Sequence, residues 1–277
     1  MKIDINLRNR IRRRVNSGAL GWLFPEGWAI KTCAYWSMYR HERSTVQYLK
    51  NTILPGDTIC DVGAHIGYYV RLLSRLTGDS GKVIAFEPHP KNIALLQLNC
   101  RHCTNTEIVP KAVAATTGKS RFYEHATSST SHALSDISQS GRHIEVDVTS
   151  IDDWYTNASY TKVDMVLVDV EGYESEVLLG MQNTISNHPE LRIILEYCPG
   201  IYRQANRDIS LLHKAFKQCG LRVITVLGRM GRKEIALGEN LDQQFATINN
   251  LLPQWSYEGR YVNIVAMRDG EGATQSK

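Results

Sequence analysis

The chain has 277 residues, 43% of them hydrophobic, and a formal net charge of +4. That length supports one large domain with an extension and a sizeable core, and the composition excludes a disordered, collagenous or coiled-coil chain. So small a net charge argues against nucleic acid as an obligatory partner.

The charge excess is local. Arg8, Arg10, Arg12, Arg13 and Arg14 crowd the first fourteen residues. Such a run reads as a solvated arm, with contact to nucleic acid or peripheral contact to an acidic membrane surface as its alternative use. Trp22, Phe24, Trp28, Tyr35, Trp36 and Tyr39 follow, and aromatics at that density must pack on the main domain, a partner chain or a substrate cleft. Residues 1–45 are therefore expected to form a basic and aromatic extension, 46–268 the main domain and 269–277 a tail. No run approaches the roughly 18 apolar residues of a membrane span. The stretch Gly18–Ile30, broken by Pro25, Glu26 and Gly27, is also a poor signal peptide. Cysteines at 33, 60, 100, 103, 198 and 219 are scattered, which suits free thiols and a cytoplasmic location. Cys100 and Cys103 make a C-x-x-C, but no second pair or histidine stands at zinc-finger spacing.

Val46, Leu49 and Ile53 predict a helix over Ser44–Leu54, stopped by Pro55 and Gly56. The stretch TICDVGAHIGYY, Thr58–Tyr69, then reads as strand, tight turn and helix. In an open α/β sheet the crevice at the carboxyl end of such a strand takes a nucleotide-like ligand, because glycine lets backbone approach it. A dinucleotide would require G-x-G-x-x-G facing a pyrophosphate. Here Gly63 and Gly67 are spaced G-x-x-x-G behind Asp61, whose charge would repel phosphate. S-adenosylmethionine carries a sulfonium and an ammonium and no phosphate, so a carboxylate suits it. Lys82–Phe86 is a second buried strand, and Glu87 at its end is placed to accept both ribose hydroxyls of an adenosine.

Strands and helices alternate from there, implying right-handed crossovers and a parallel sheet covered on both faces. Pro90–Cys100 is helical, Glu107–Val109 a third strand, and its exit, Pro110–Val113 with Ala112, should lie beside the adenine. Ser120–Glu124 and Ile144–Val148 form an extra strand pair around a long loop, Thr127–Ser140. Val163–Val168 is a central strand ending in Asp169, and an acidic turn with Glu171 leads to a helix containing Val177, Leu178 and Met181. Leu191–Leu195 ends in Glu196; a helix over Leu211–Gln218 and strands Leu221–Val226 and Tyr261–Met267 complete the order.

Taken together, DVGAHIGYY, AFEPHPKNIALLQLN, VDMVLVDVEGYE and IILE, in this order, resemble the FkbM family of S-adenosylmethionine-dependent methyltransferases, over about Val46–Met267. The resemblance implies a Rossmann-like methyltransferase fold: a seven-stranded, mostly parallel sheet with helices on both faces and an antiparallel last strand. It implies O-methylation of sugars, glycans, glycolipids or small metabolites, with S-adenosyl-L-methionine as cofactor. It places the methionine end of the cofactor against Asp61, Gly63, Ala64, His65 and Gly67, counts Tyr68 among the cofactor-binding residues, and puts the ribose on Glu87 with Pro88 shaping the turn. Two positions depart from the family: His65 stands where Asn is common, and Leu167 where Lys is common.

An alcohol acceptor must lose its proton as the bond to carbon forms. Positioning can supply roughly 7–11 kcal/mol of such a barrier, against about 10²–10⁴ in rate from a general base. Asp169, Glu171 and Glu196 are the candidate catalytic carboxylates, each expected at the carboxyl end of a central strand. They could instead hold Mg²⁺, although the resemblance demands no metal. Of the histidines flanking the long loop, His125, His132 and His143, His132 is the candidate base. A second class of function is a binding or regulatory protein that has lost catalysis, with the arginine and aromatic arm as its contact surface.

Overall fold

A computed structural model describes residues 42–124, 134, 141–158, 160–235, 240–256 and 261–269. The extension before Glu42, the long loop apart from Leu134, and the tail beyond Asp269 lie outside the described residues, as do His125 and His132. No helix among the described residues is long and apolar enough to cross a membrane.

In chain order the elements are α1 (Arg43–Thr52), β1 (Thr58–Val62), α2 (Tyr68–Thr77), β2 (Lys82–Phe86), α3 (Pro90–Asn99) and β3 (Thr106–Val109). Then come β4 (Ala112–Val113), β5 (Gly118–Tyr123), β6 (His143–Thr149), α4 (Ile151–Ala158), β7 (Met165–Val168), α5 (Glu174–Leu179) and α6 (Gln182–Asn187). The last group is β8 (Arg192–Tyr197), α7 (Pro199–Gln204), α8 (Ser210–Gln218), β9 (Leu221–Gly228), β10 (Gly231–Glu234), α9 (Leu241–Trp255) and β11 (Val262–Arg268). The main sheet has eight strands in the order β10-β9-β11-β8-β7-β1-β2-β3. Strands β1, β2, β3, β7 and β8 pair in parallel, and β11 runs antiparallel to both β8 and β9. Seven of these strands are the expected ones, with the last antiparallel; the eighth, β10, is a hairpin addition on β9.

Period-2 alternation explains the two cores. Cys60 and Val62 of β1 join Ile84 and Phe86 on one face, while Ile59 joins Val83 and Ala85 on the other. Each face is then roofed by its own helices. The first core takes in Trp154, Leu178, Phe216 and Phe245; the second takes in Leu49, Val70, Leu73 and Leu96. A buried Gln244 ties α9 to the sheet, accepting from Val223 N at 2.9 Å and donating to Val223 O at 3.1 Å.

Several boundaries differ from expectation for physical reasons. β8 runs on to Tyr197 because β11 pairs with it there, so Glu196 lies within the strand, opposite Asn263. The helix expected through Met181 is two helices, because Gly180 passes so close to the small sheet that a Cβ on it would lie 2.1 Å from Ala114 O. That small sheet, ordered β4-β6-β5, carries the expected strand pair and packs Phe122, Val146 and Val148 beside Ala112.

The contact at Gly180 yields a test. Gly180→Ala should lower stability by about 1–3 kcal/mol through overpacking, read from urea-induced unfolding. Gly200→Ala, whose Cβ would meet only Cys198 Sγ at 3.9 Å, serves as the control and should leave the midpoint within error.

Candidate active site

At the carboxyl ends of β1, β2, β7 and β8 lies a cavity of about 350 Å³. A turn at its floor follows β1: Gly63 N and Ala64 N both donate to Phe86 O, at 3.0 and 2.9 Å, and Gly67 N donates to Ala64 O at 2.9 Å. Gly63 has φ +89°, and a Cβ there would sit 2.0 Å from Asp169 O, so only glycine lets the β1 and β7 tips meet this closely. His65 also takes a positive φ, 48°.

Glu87 joins this turn to the next. Its Oε2 accepts from His65 N at 2.9 Å; its Oε1 accepts from His89 N at 2.8 Å and from Asn92 Nδ2 at 3.3 Å. Burial pushes its carboxyl up to about 7, although all three donors pull the other way. Asp61, 3% exposed, is pushed up to about 8 by burial, then by Asp169 and Glu87. Its Oδ2 is buried with no hydrogen-bond partner among the described residues.

Asp169 follows β7 and is fixed there by its N–H, which donates to Val62 O at 3.0 Å. It is deep in the fold, yet more than a third of its surface faces open space within the cavity. Burial, then Glu42, then Glu174 raise its carboxyl. Glu196 is raised well above the carboxylate range by burial, then by Asp169 and Glu171. Glu171 itself stands at φ +51° in the acidic turn, ahead of Gly172 at φ +86°.

Eleven of the twelve residues expected at the site line this cavity: Asp61, Gly63, Ala64, His65, Tyr68, Glu87, Pro88, Ala112, Asp169, Glu171 and Glu196. Gly67 does not line it. It opens α2 in a left-handed conformation, packed against Leu96 and Cys100, so it shapes the turn from behind. His143 lies at the exposed start of β6, bonded to Gly141 O and away from the cavity. Leu167, at the position where the family resemblance leads one to expect lysine, is buried in the cavity wall. Among the described residues no group of three or more His, Cys, Asp or Glu side chains is arranged to hold a metal ion.

The sequence reading missed Glu42, Tyr69, Tyr261 and Asn263. Glu42 is 7% exposed and accepts from Tyr69 OH at 3.0 Å, from Asn263 Nδ2 at 2.8 Å and from Tyr261 OH. It lies just outside α1 and on the extension side of the expected boundary. Its long-range partners, 27 to 221 residues away, leave no local pattern to detect.

Six carboxylates against one lysine, Lys111, line the cavity. A buried acid with an orphaned oxygen beside two others is matched by a ligand carrying positive charge. The donor set therefore fits a sulfonium compound with an ammonium group and an adenosine, and does not fit a pyrophosphate.

A family model described as the methyltransferase FkbM domain matches residues 61–255. The hexuronic acid methyltransferase AglP of Haloferax volcanii is 26% identical over 148 residues, covering 53% of this chain and 59% of that protein. The 31-O-demethyl-FK506 methyltransferase FkbM of Streptomyces tacrolimicus is 26% identical over 190 residues, covering 57% of this chain and 72% of that one. The 2-O-methyltransferase NoeI of Sinorhizobium fredii is 25% identical over 149 residues, covering 48% and 60%. The chain thus spans about three fifths of the length of two of these curated relatives and 72% of the third.

The raised carboxyls make stability depend on pH. Asp61 and Glu87 bind protons more tightly folded than unfolded, where carboxyls titrate near about 4. Their contribution is complete below that value and is lost as pH rises through about 7 to 8. Thermal melts should therefore fall from pH 5 to pH 8, and Asp61→Asn should flatten the slope and melt higher than wild type at pH 8. Parallel curves would contradict the burial of that charge.

Proposed function

Because the chain belongs to the FkbM family of S-adenosyl-L-methionine-dependent methyltransferases, we propose that it transfers a methyl group to a hydroxyl of a sugar, glycan or small metabolite. The observation that carries this reading is Asp61: a buried carboxylate with an unpartnered oxygen, beside Asp169 and Glu87 in a cavity dominated by negative charge. Bound there, the cofactor supplies an electrophilic methyl group on a cationic sulfur.

The chain's own residues then have distinct tasks. Asp61 and the turn Gly63-Ala64-His65 receive the ammonium and sulfonium end. Glu87, already braced by His65 N and His89 N, has lone pairs left for the ribose hydroxyls. Pro88 and Ala112 form walls for the adenine. Asp169 takes the acceptor's proton; a raised carboxyl facing the cavity is a competent base near neutral pH. Glu196 and Glu171 orient the acceptor hydroxyl. The names of the relatives support oxygen as the acceptor atom: one is a hexuronic acid methyltransferase and one a 2-O-methyltransferase.

Two measurements test this. In calorimetry, affinity for S-adenosylmethionine should rise from pH 6 to pH 8, since protons on Asp61 compete with the cation; S-adenosylhomocysteine, whose sulfur is neutral, should show a shallower rise. Identical profiles would remove the charge argument.

Glu87→Ala should weaken either ligand by about 10- to 100-fold, the loss of hydrogen bonds to a charged group. Asp169→Asn should bind the cofactor within about threefold of wild type yet lose about 10²–10⁴ in turnover. Turnover is read as labelled methyl incorporation into glycans and metabolites from cells lacking the protein. Wild-type turnover in Asp169→Asn would exclude it as the base.

A further inference from the structure

The C-x-x-C pair takes no part in the chemistry above, yet it is built into the back of the cofactor turn. Cys100 caps α3, its N–H donating to Leu96 O at 2.9 Å, and Cys103 N donates to Cys100 O at 2.8 Å. A turn closed by that bond holds its end Cα atoms less than about 7 Å apart, and a disulfide spans about 4.4–6.8 Å. The two thiols face one another across that turn, with Ser74, Arg71 and Arg75 beside Cys103. These partners bring the Cys103 thiol down to about 6 and push Cys100 up. Cys103 is partly exposed and Cys100 buried. That is the division between an attacking thiolate and a resolving thiol.

The seat of Cys100 links the pair to the cavity. A Cβ on Gly67 would lie 2.8 Å from Cys100 Sγ, so the sulfur forms the wall against which the turn rests. The residue before it, Asn99, donates from Nδ2 to Ile66 O at 2.8 Å, inside that turn.

We infer that Cys100 and Cys103 form a reversible dithiol site that closes to a disulfide and thereby weakens the cofactor turn; the second half rests on the cofactor reading above. Cys103 thiolate attacks one sulfur of a small disulfide such as oxidised glutathione, releasing one glutathione thiolate and leaving a mixed disulfide. Cys100 gives its proton to solvent, attacks Cys103 Sγ and displaces the second glutathione. Two S–H bonds are lost and one S–S bond is gained, while the small disulfide is reduced to two thiols. Closing the sulfurs to about 2.05 Å draws Cys100 Sγ from its place beside Gly67. The turn Gly63–Gly67 then loses its backing.

The test uses the full chain, equilibrated in glutathione buffers of graded ratio, quenched by alkylation and mapped by mass spectrometry. The expected product is a Cys100–Cys103 disulfide formed in one two-electron transition. Cys100→Ser should instead accumulate a glutathione adduct at Cys103, and Cys103→Ser should form neither product.

The site is refuted if both thiols of wild type stay alkylatable throughout, or if the adduct at Cys103 is its end product. For the coupling, calorimetry with S-adenosylhomocysteine should show oxidised protein binding at least about fivefold more weakly than reduced; equal affinities overturn it. Absence of binding to reduced wild type would sink the cofactor reading and with it the coupling, while the mapped disulfide is judged separately.

Discussion

Crowding of like charge at the strand tips is the constraint from which the rest of this structure follows. Asp61, Asp169 and Glu196 come from three adjacent strands or their exits, and parallel pairing brings the tips together whatever their side chains prefer. Coulomb repulsion in a partly buried site is on the order of 4 kcal/mol for unit charges about 4 Å apart. A chain carrying such a cost for no reason would be expected to replace one acid with a neutral residue. The cost disappears when a cation enters, which turns the same repulsion into binding free energy.

The carboxylates divide by how their oxygens are used. Glu87 and Glu42 each collect three protein donors, and each joins segments distant in sequence. Glu87 fixes the turn after β1 to the turn after β2, so those two walls of the cavity keep a set separation. Asp61 Oδ2 is different: it is buried with nothing to accept from. A buried carboxylate oxygen that no protein group reaches is left open to a ligand.

Much of this was legible because it is local. The turn glycines after β1, strand Lys82–Phe86 and Glu87 sit within two consecutive strand–turn–helix units, where short-range spacing carries the geometry. What escaped was non-local. β8 extends to Tyr197 because its partner β11 continues there, and no property of residues 191–197 alone signals it. Gly180 stands between two helices pressed against Ala114, just past β4 and 66 positions earlier in the chain. The region from Gly228 onward did hold a signal: Asn240 and Gln243 form a capping box that starts α9, a pattern readable three residues apart.

The part of the site most removed from sequence logic is the end closed by Glu42. Tyr261 and Asn263 belong to the last strand segment and Glu42 to the first described residues, so their bonds span 219 and 221 positions. Asn263 also donates to Thr45 of α1, at 2.9 Å, and Ser44 donates to Gly228 O at 2.7 Å. The bonds to Tyr261 and Asn263 require strand β11 to lie in its place between β8 and β9. The turn after β1 can therefore assemble from residues 58–92 by short-range contacts, but the far wall, beside Asp169, waits for the end of the chain to pair. A cavity completed in that order is anionic before it is enclosed. Its strongest repulsion is thus postponed until the packing of both cores is available to offset it.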